Sequence, residues 1–473
     1  MSYELVSGLE THIELSTDSK LFCLCSTRFG AEPNTLCCPV CLGHPGTLPV
    51  LNKQAVYLAL MAGSALNCRV NLRSVMERKN YSYPDLPKAY QITQLSTPLC
   101  EDGYLELSSG KRIRITRIQV EEDAGKVVHT EDAFCVDYNR CGVPLIEIVS
   151  EPDISSVEEA KEYVEKLRIL MRYIGVSDCK MQEGSMRCDV NVSLKKQGAE
   201  TLGTRTEIKN MSSVSSIARA MEYEYARQKD ILEKGGSVQR QTLRFDEAKG
   251  ITIPMRSKED AQDYRFFCEP DLQPVVLTQQ EVEDVRHSMP MLPSEKEKIY
   301  TEQLGLTKSQ AALLTKYRRI SEFYDEAVKL CAEPQLAAGF ITGQIFSLFA
   351  TEGEKEEFSL RITPHSLAEL CTLVQQKTIS KNLAKVTLDK MLATGKRAEE
   401  LITARDMQGI SEEELMSLCQ AALELNAPAV ADFKNGKEKA LMAFLGTVMR
   451  QSRGAADPER AKACLLKLLS NIN

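Results

Sequence analysis

The sequence contains no tryptophan, and aromatic residues make up only 6% of it. That composition argues against a broad aromatic platform for stacking nucleobases. No apolar run approaches the length of a membrane span. The opening stretch, MSYELVSGLE, lacks the charged-then-apolar layout of a signal peptide and the arginine bias of a transit peptide. The expectation is a cytoplasmic, bacterial-type protein with no membrane partner. There is no GxxxxGK[ST] phosphate loop, no GxSxG and no HExxH, which sets aside P-loop ATPases, α/β-hydrolases and helix-borne zinc proteases. No low-complexity segment or internal repeat is present. A net charge of −7 with a pI near 5.6 excludes a basic surface over the whole chain. Nucleic-acid binding then has to come from a local basic surface or from one domain.

What is present fits two or three domains: 473 residues, 43% of them hydrophobic. Up to about Pro274 the chain reads as strands separated by glycine and proline turns. Two helices stand out in it. Ser156 with Glu159 forms a capping box, and Val157, Ala160, Val164, Leu167, Met171 and Ile174 follow at helical spacing until Gly175. A second helix is expected from Val214 to Lys234, ending at Gly235-Gly236. Beyond Gln279 the chain is rich in Ala, Leu, Glu, Lys and Gln and reads as short helices, with a break near residues 406–411. The expected fold is α+β: an antiparallel-sheet cradle over residues 1–292, an all-α domain over 293–408 and a small helical tail over 409–473.

Alternation defines the most telling surface. Read as a strand, VSGLETHIEL puts Glu10, His12 and Glu14 on one face and Leu9, Ile13 and Leu15 on the other. In MRCDVNVSL, Arg187, Asp189, Asn191 and Ser193 oppose Met186, Cys188, Val190, Val192 and Leu194. In TRTEIK, Arg205, Glu207 and Lys209 oppose Ile208. Carboxylates and imidazole suit divalent metals, and guanidinium suits phosphate. The face reads as the floor of a metal-nucleotide site.

Five of the 16 cysteines lie within nineteen residues. Cys23, Cys25, Cys38 and Cys41 have the CxC…CxxC spacing of a structural tetrathiolate zinc knuckle spanning 23–41. Cys37 is the alternative to Cys38; the CPVC spacing favours Cys38. Inert thiols and a redox pair are the competing readings. Four other stretches carry candidates: RKNYSYPDLPKAYQITQ, with Lys79, Tyr81, Tyr83 and Lys88; QVEEDAGK, with Glu121, Glu122 and Asp123; PLIEIVSEPD, where Glu147 sits in an apolar run; and DYRFFCEPD, with Arg265. A carboxylate in an apolar strand is costly unless a cation offsets it.

GLETHIEL, FGAEPNT, CPVCLGHPGTLPVLN, RKNYSYPDLPKAYQITQ, EEDAGK, PLIEIVSEPD, EGSMRCDVN, EIKNMSSV and DYRFFCEPD together closely resemble the family of B subunits of aspartyl/glutamyl-tRNA amidotransferases. The likeness is dense over residues 1–275 and looser to the C-terminus, where FKNGKEKALMAFLGTVM resembles the family's tail. The resemblance implies a cradle similar to glutamine synthetase. It also implies a heterotrimer with an amidase A subunit and a small C subunit. The implied reaction is ATP- and Mg²⁺-dependent phosphorylation of the side-chain carboxylate of Glu-tRNA(Gln) or Asp-tRNA(Asn), followed by amidation with channelled ammonia.

Position by position, the resemblance implies magnesium ligands at His12, Glu122 and Glu147, with Glu10 nearby. Asp189 and Glu207 join Glu10, Glu122 and Glu147 as catalytic acids, either at a second, ATP-dependent metal or along the ammonia path. Lys79, Tyr81, Tyr83, Lys88, Arg187, Arg205 and Lys209 are implied for nucleotide or substrate. The cofactors are ATP, Mg²⁺ and, from the cysteines themselves, structural Zn²⁺. For the tail, tRNA contact is expected from Lys434, Lys437, Lys439, Arg450 and Arg453. The alternative function is a free-standing ATP-dependent carboxylate-amine ligase for a small metabolite.

Overall fold

The computed structural model describes residues 3–129, 133–255, 263–331, 333–403, 411–434, 439–452 and 456–470. The chain divides into two compact units, Met1–Leu292 and Pro293–Asn473. In the first unit the strands are β1 (Tyr3–Glu14), β2 (Arg69–Val70), β3 (Arg73–Ser74), β4 (Glu77–Asn80), β5 (Tyr90–Thr93), β6 (Cys100–Glu106), β7 (Arg112–Glu122), β8 (Lys126–His129), β9 (Phe134–Asp137), β10 (Pro144–Ser150), β11 (Met186–Lys196), β12 (Thr206–Met211), β13 (Gln241–Asp246), β14 (Ile251–Pro254), β15 (Phe267–Cys268) and β16 (Val275–Val276). Its helices are α1 (Lys53–Ala65), α2 (Val157–Tyr173), α3 (Val214–Glu233) and α4 (Gln279–Ser288).

Nine strands form one sheet in the order β14-β13-β12-β11-β1-β10-β7-β6-β2. Its pairs are antiparallel except β12 with β13, which run parallel. A small sheet β15-β4-β5 lies in the same unit. The mixed α+β character follows the sequence reading; the parallel pair does not.

Period-two alternation gives the large sheet two chemically different faces. Leu9 and Ile13 of β1, Ile118 and Val120 of β7, Ile146 and Ile148 of β10, Val190 and Val192 of β11 and Ile208 of β12 are buried on one face. Each contributes roughly 1.5–3 kcal/mol by leaving water. Helices α1, α2 and α3 share that apolar cluster through Leu58, Leu60, Tyr163, Leu167, Ile217 and Met221.

Helix α2 begins where expected, with Ser156 accepting from the Glu159 amide. The reciprocal half of the box is different: the Glu159 carboxylate accepts from the amide and hydroxyl of Ser155 and from Lys111. Helix α1 was not legible from periodicity because Ala55, Val56, Leu58, Ala59, Leu60, Met61 and Ala62 are all buried, leaving no polar stripe. Asn52 caps it, accepting from the amides of Gln54 and Ala55. Gly63 is required there, because a Cβ would collide with Cys100.

The second unit is helical. One apolar cluster runs from Tyr300 to Ile402 and another from Leu415 to Leu469. Buried Lys296 is neutralised by Asp325 at 2.6 Å. No described helix is long and apolar enough to cross a membrane.

Candidate active site

The second face of the large sheet is polar, and three adjacent strands build its centre. His12 on β1 lies opposite Glu147 on β10, and Glu147 lies opposite Gln119 on β7. Glu121, two residues further along β7, projects to the same side. Ligand atoms of His12, Glu121 and Glu147 all lie within 4.8 Å of one another. His12 Nε2 is 3.7 Å from Glu121 Oε1. Thr93 of β5 donates to Glu121 Oε2 at 2.9 Å, and Gln119 Nε2 donates to Glu147 Oε2 at 2.6 Å, so both carboxylates are oriented by neutral donors.

Negative charge is in excess at this centre. Burial first, and then the nearby Glu121 and Glu10 carboxylates, push Glu147 up to about 7, against the opposing pull of His12 and Arg117. A buried carboxyl crowded by carboxylates relieves its cost by taking a proton or a cation.

On the β11 side the acids are compensated. Lys209 Nζ reaches Asp189 Oδ2 at 2.6 Å and Glu207 Oε1 at 2.8 Å. Burial opposes the Lys209 charge, but the two carboxylates outweigh it and raise its pKa. A cation thus already stands between Asp189 and Glu207, where a second metal had been one expectation. Glu10 accepts from Asn191 Nδ2 at 3.0 Å.

At the near end, Asp123 is buried and pairs with Arg187 at 2.8 Å and Arg140 at 3.4 Å. Burial opposes its charge, and the two arginines hold its carboxyl below the usual range. Glu14 beside it is driven to about 8, by burial and then by Asp123, which shares a hydrogen bond with it.

Glu122, one of the expected ligands, does not lie with His12, Glu121 and Glu147. It is the residue after Glu121 on a strand, so it points to the opposite face. There its carboxylate takes the ammonium of Lys88 and accepts from the Ile92 amide at 2.9 Å. Lys88 is correspondingly committed to Glu122, with its ammonium over the Tyr90 and Phe22 rings. Burial opposes the Lys88 charge, and Glu122 more than restores it.

Of the remaining expected residues, Lys79 lies over the Tyr264 ring at 5.0 Å and the Tyr81 ring at 5.9 Å. Burial, then the charges of Asp85, Glu121 and Asp123, raises the Tyr81 hydroxyl, so Tyr81 stands near the acidic face. Tyr83 is 54% exposed and Arg205 is exposed just before β12. In the tail, Lys439 and Arg450 are exposed. Lys437, Arg453 and the Lys434 side chain lie outside the described residues.

The cysteines occupy a loop, since residues 15–52 contain no helix or extended strand. The thiols of Cys23, Cys25, Cys38 and Cys41 lie within 4.8 Å of one another. Cys37 is not one of the four; its thiol lies 3.9 Å from Asn139 Oδ1. A hydrogen bond from Cys23, then the Cys38 amide and Lys20, outweighs burial and lowers Cys41 to about 4. Burial raises Cys25 to about 11. Buried Lys20 donates to Cys41 Sγ at 3.6 Å and to the Tyr138 carbonyl at 3.2 Å.

The family model described as the GatB/GatE catalytic domain matches residues 5–283, and that described as the GatB domain matches residues 322–469. The chain belongs to the GatB family. A relative from Caldicellulosiruptor saccharolyticus, named as the B subunit of an aspartyl/glutamyl-tRNA(Asn/Gln) amidotransferase, is 47% identical over the full length of both chains. One of the same name from Caldanaerobacter subterraneus is 47% identical over 99% of this chain and all of its own. A third, from Brevibacillus brevis, is 43% identical over 99% of each. As a GatB-family member the chain is an amidotransferase component acting in tRNA-dependent amidation. The catalytic-domain match contains the acidic centre, the Lys209 cluster and the four thiols.

Proposed function

We propose that this protein uses ATP to phosphorylate the side-chain carboxylate of Glu-tRNA(Gln), Asp-tRNA(Asn) or both, and then amidates it with ammonia delivered by an amidase partner. The observation that carries this reading is the approach of His12, Glu121 and Glu147 to within 4.8 Å on a face that also presents Lys209 and Arg187. The chemistry requires such a face. Ammonia does not displace oxide from a carboxylate, so the oxygen must first become a phosphate leaving group. About four phosphate charges on ATP must be neutralised while this happens.

Magnesium fits the acidic centre. Glu147 is held near neutrality by excess negative charge, which a divalent cation offsets, and two carboxylates plus one imidazole provide donors. His12, Glu121 and Glu147 are its proposed ligands, with Glu10 behind them. When bound, magnesium supplies charge neutralisation at the phosphates. Arg187 and Arg205 are proposed to meet substrate or nucleotide, with Lys79 and Tyr81 at the rim. Lys209 bridges Asp189 and Glu207 and offsets part of their charge.

Zinc fits the four thiols. A tetrahedral site with Zn–S bonds of about 2.3 Å brings sulfurs to roughly 3.8 Å apart, and Cys38 and Cys41 are already 4.0 Å apart. With all four positions held by protein, that zinc is structural.

The cradle is proposed to follow glutamine synthetase in its core, and residues 409–473 to form a tail that contacts tRNA. The working assembly is a heterotrimer with the amidase and a small third subunit. The test is reconstitution of that complex with Glu-tRNA(Gln), ATP and glutamine, following Gln-tRNA and ADP together. One ADP per amide is expected, with both lost in Glu121→Gln and Glu147→Gln. Amide formation without ATP, or at the unaltered rate in both variants, sinks the reading.

A further inference from the structure

We infer that the cysteine knuckle positions the acidic centre, and that Lys88 is the positioning residue joining them. The inference rests on the metal-site reading above. The CPVCLG turn packs directly on Lys88: a Cβ at Gly43 would lie 2.6 Å from Lys88 Cγ, and Gly43 has φ +67°, which favours glycine. The turn is held from below as well, because the Lys20 ammonium donates to Cys41 Sγ. Lys88 carries its charge across to Glu122, 2% exposed, in a cavity of about 100 Å³ lined also by Lys20, Cys23, Cys41, Gly43 and Gly142.

Glu122 is covalently next to Glu121. Strand β5 fastens both: Gln91 Nε2 donates to the Glu122 carbonyl at 2.8 Å, the Ile92 amide to the Glu122 carboxylate, and Thr93 to the Glu121 carboxylate. A carboxylate can serve a metal only where its backbone is fixed, and partners outside the ligand set commonly do the fixing. Here the chain of support runs from Cys41 through Gly43, Lys88 and Glu122 to Glu121. Loosening the knuckle frees Lys88, and freeing Lys88 leaves the buried Glu122 unpaired at the end of β7.

The test measures Mn²⁺ binding to the full-length chain by electron paramagnetic resonance, with zinc content by metal analysis and folding by circular dichroism. Lys88→Met is expected to keep its zinc and its fold but bind Mn²⁺ about tenfold or more weakly, the usual cost of losing such a support. Glu122→Gln, which keeps the acceptor for the Ile92 amide, weakens binding in the same direction and stands in if Lys88→Met does not fold. Lys88→Arg restores part of the affinity. Glu121→Gln is the control. If it weakens Mn²⁺ binding while both Lys88→Met and Glu122→Gln bind like wild type, the coupling is wrong and the metal site stands. If Glu121→Gln also binds like wild type, the metal-site reading and the coupling fall together.

Discussion

The two clusters of side chains proposed to hold metals contrast in how their backbone is held. His12, Glu121 and Glu147 stand on three hydrogen-bonded strands whose reverse faces are packed in the core. Their geometry is set before any ion arrives. Cys23, Cys25, Cys38 and Cys41 stand on a long loop with no helix or extended strand of its own. Asn34, Leu36 and Leu21 tie that loop to residues 136–142 by single hydrogen bonds and not by a strand ladder, so an ion closing the four thiols would contribute to folding rather than to chemistry. The difference teaches where each kind of site belongs. On the proposed reading, oxygen donors that must also release products are placed on a rigid sheet, and soft donors that would close around an ion sit on the part that lacks a sheet.

Breaking the strand-borne cluster gives the largest effect. Glu147→Ala or Glu121→Ala is expected to lower Gln-tRNA formation on the order of a thousandfold or more, from several kcal/mol of lost charge stabilisation. Zinc content, read by metal analysis, should stay as in wild type, because the acidic centre leans on the knuckle and not the reverse; loss of zinc would mean that the support runs both ways. Cys41→Ser tests the loop. It should remove zinc and open residues 22–52 to limited proteolysis, while circular dichroism of the sheet persists. A loop equally resistant without zinc would show that the thiols do not staple it.

Next in size is Lys209→Met. It leaves Asp189 and Glu207 facing each other, and we expect a loss of roughly 1–3 kcal/mol, discounted for the partial exposure of the cluster. Thermal melting measures it, and an unchanged midpoint would place the lysine outside the balance of charge. Smallest is removal of the tail. A chain ending at Thr403 should raise KM for tRNA on the order of tenfold, through lost phosphate contacts, with kcat retained. Unchanged KM would remove the tail from tRNA recognition.

Much of the cradle was legible because alternation is a strong local signal. Glu10, His12 and Glu14 do share a face with Arg187, Asp189 and Asn191, and the register pairs Glu10 with Asp189 and His12 with Arg187. The same signal, applied to IQVEE, separates Ile118, Val120 and Glu122 from Gln119 and Glu121. Three consecutive acids at the end of the strand leave the ligand ambiguous in the sequence, and the family resemblance points to Glu122. Glu121 is the acid that reaches His12 and Glu147.

Pairings across the fold carried no sequence signal. Nothing local announces that Lys88 belongs to Glu122, or that Lys209 bridges Asp189 and Glu207, since each contact depends on which strands become neighbours. Helix α1 was missed for the opposite reason: burial on every side erased its period.

The Lys209 ammonium differs from a bound ion in one respect that matters for handling the protein. It is tethered to β12 by its own side chain, so no chelator removes it and no dilution empties its place between Asp189 and Glu207. That end of the sheet face therefore keeps one fixed positive charge between its two carboxylates in metal-free buffer. The His12 end has no lysine bridging its two carboxylates among the described residues, and on the proposed reading it is the part of the floor whose behaviour follows the salt in the tube.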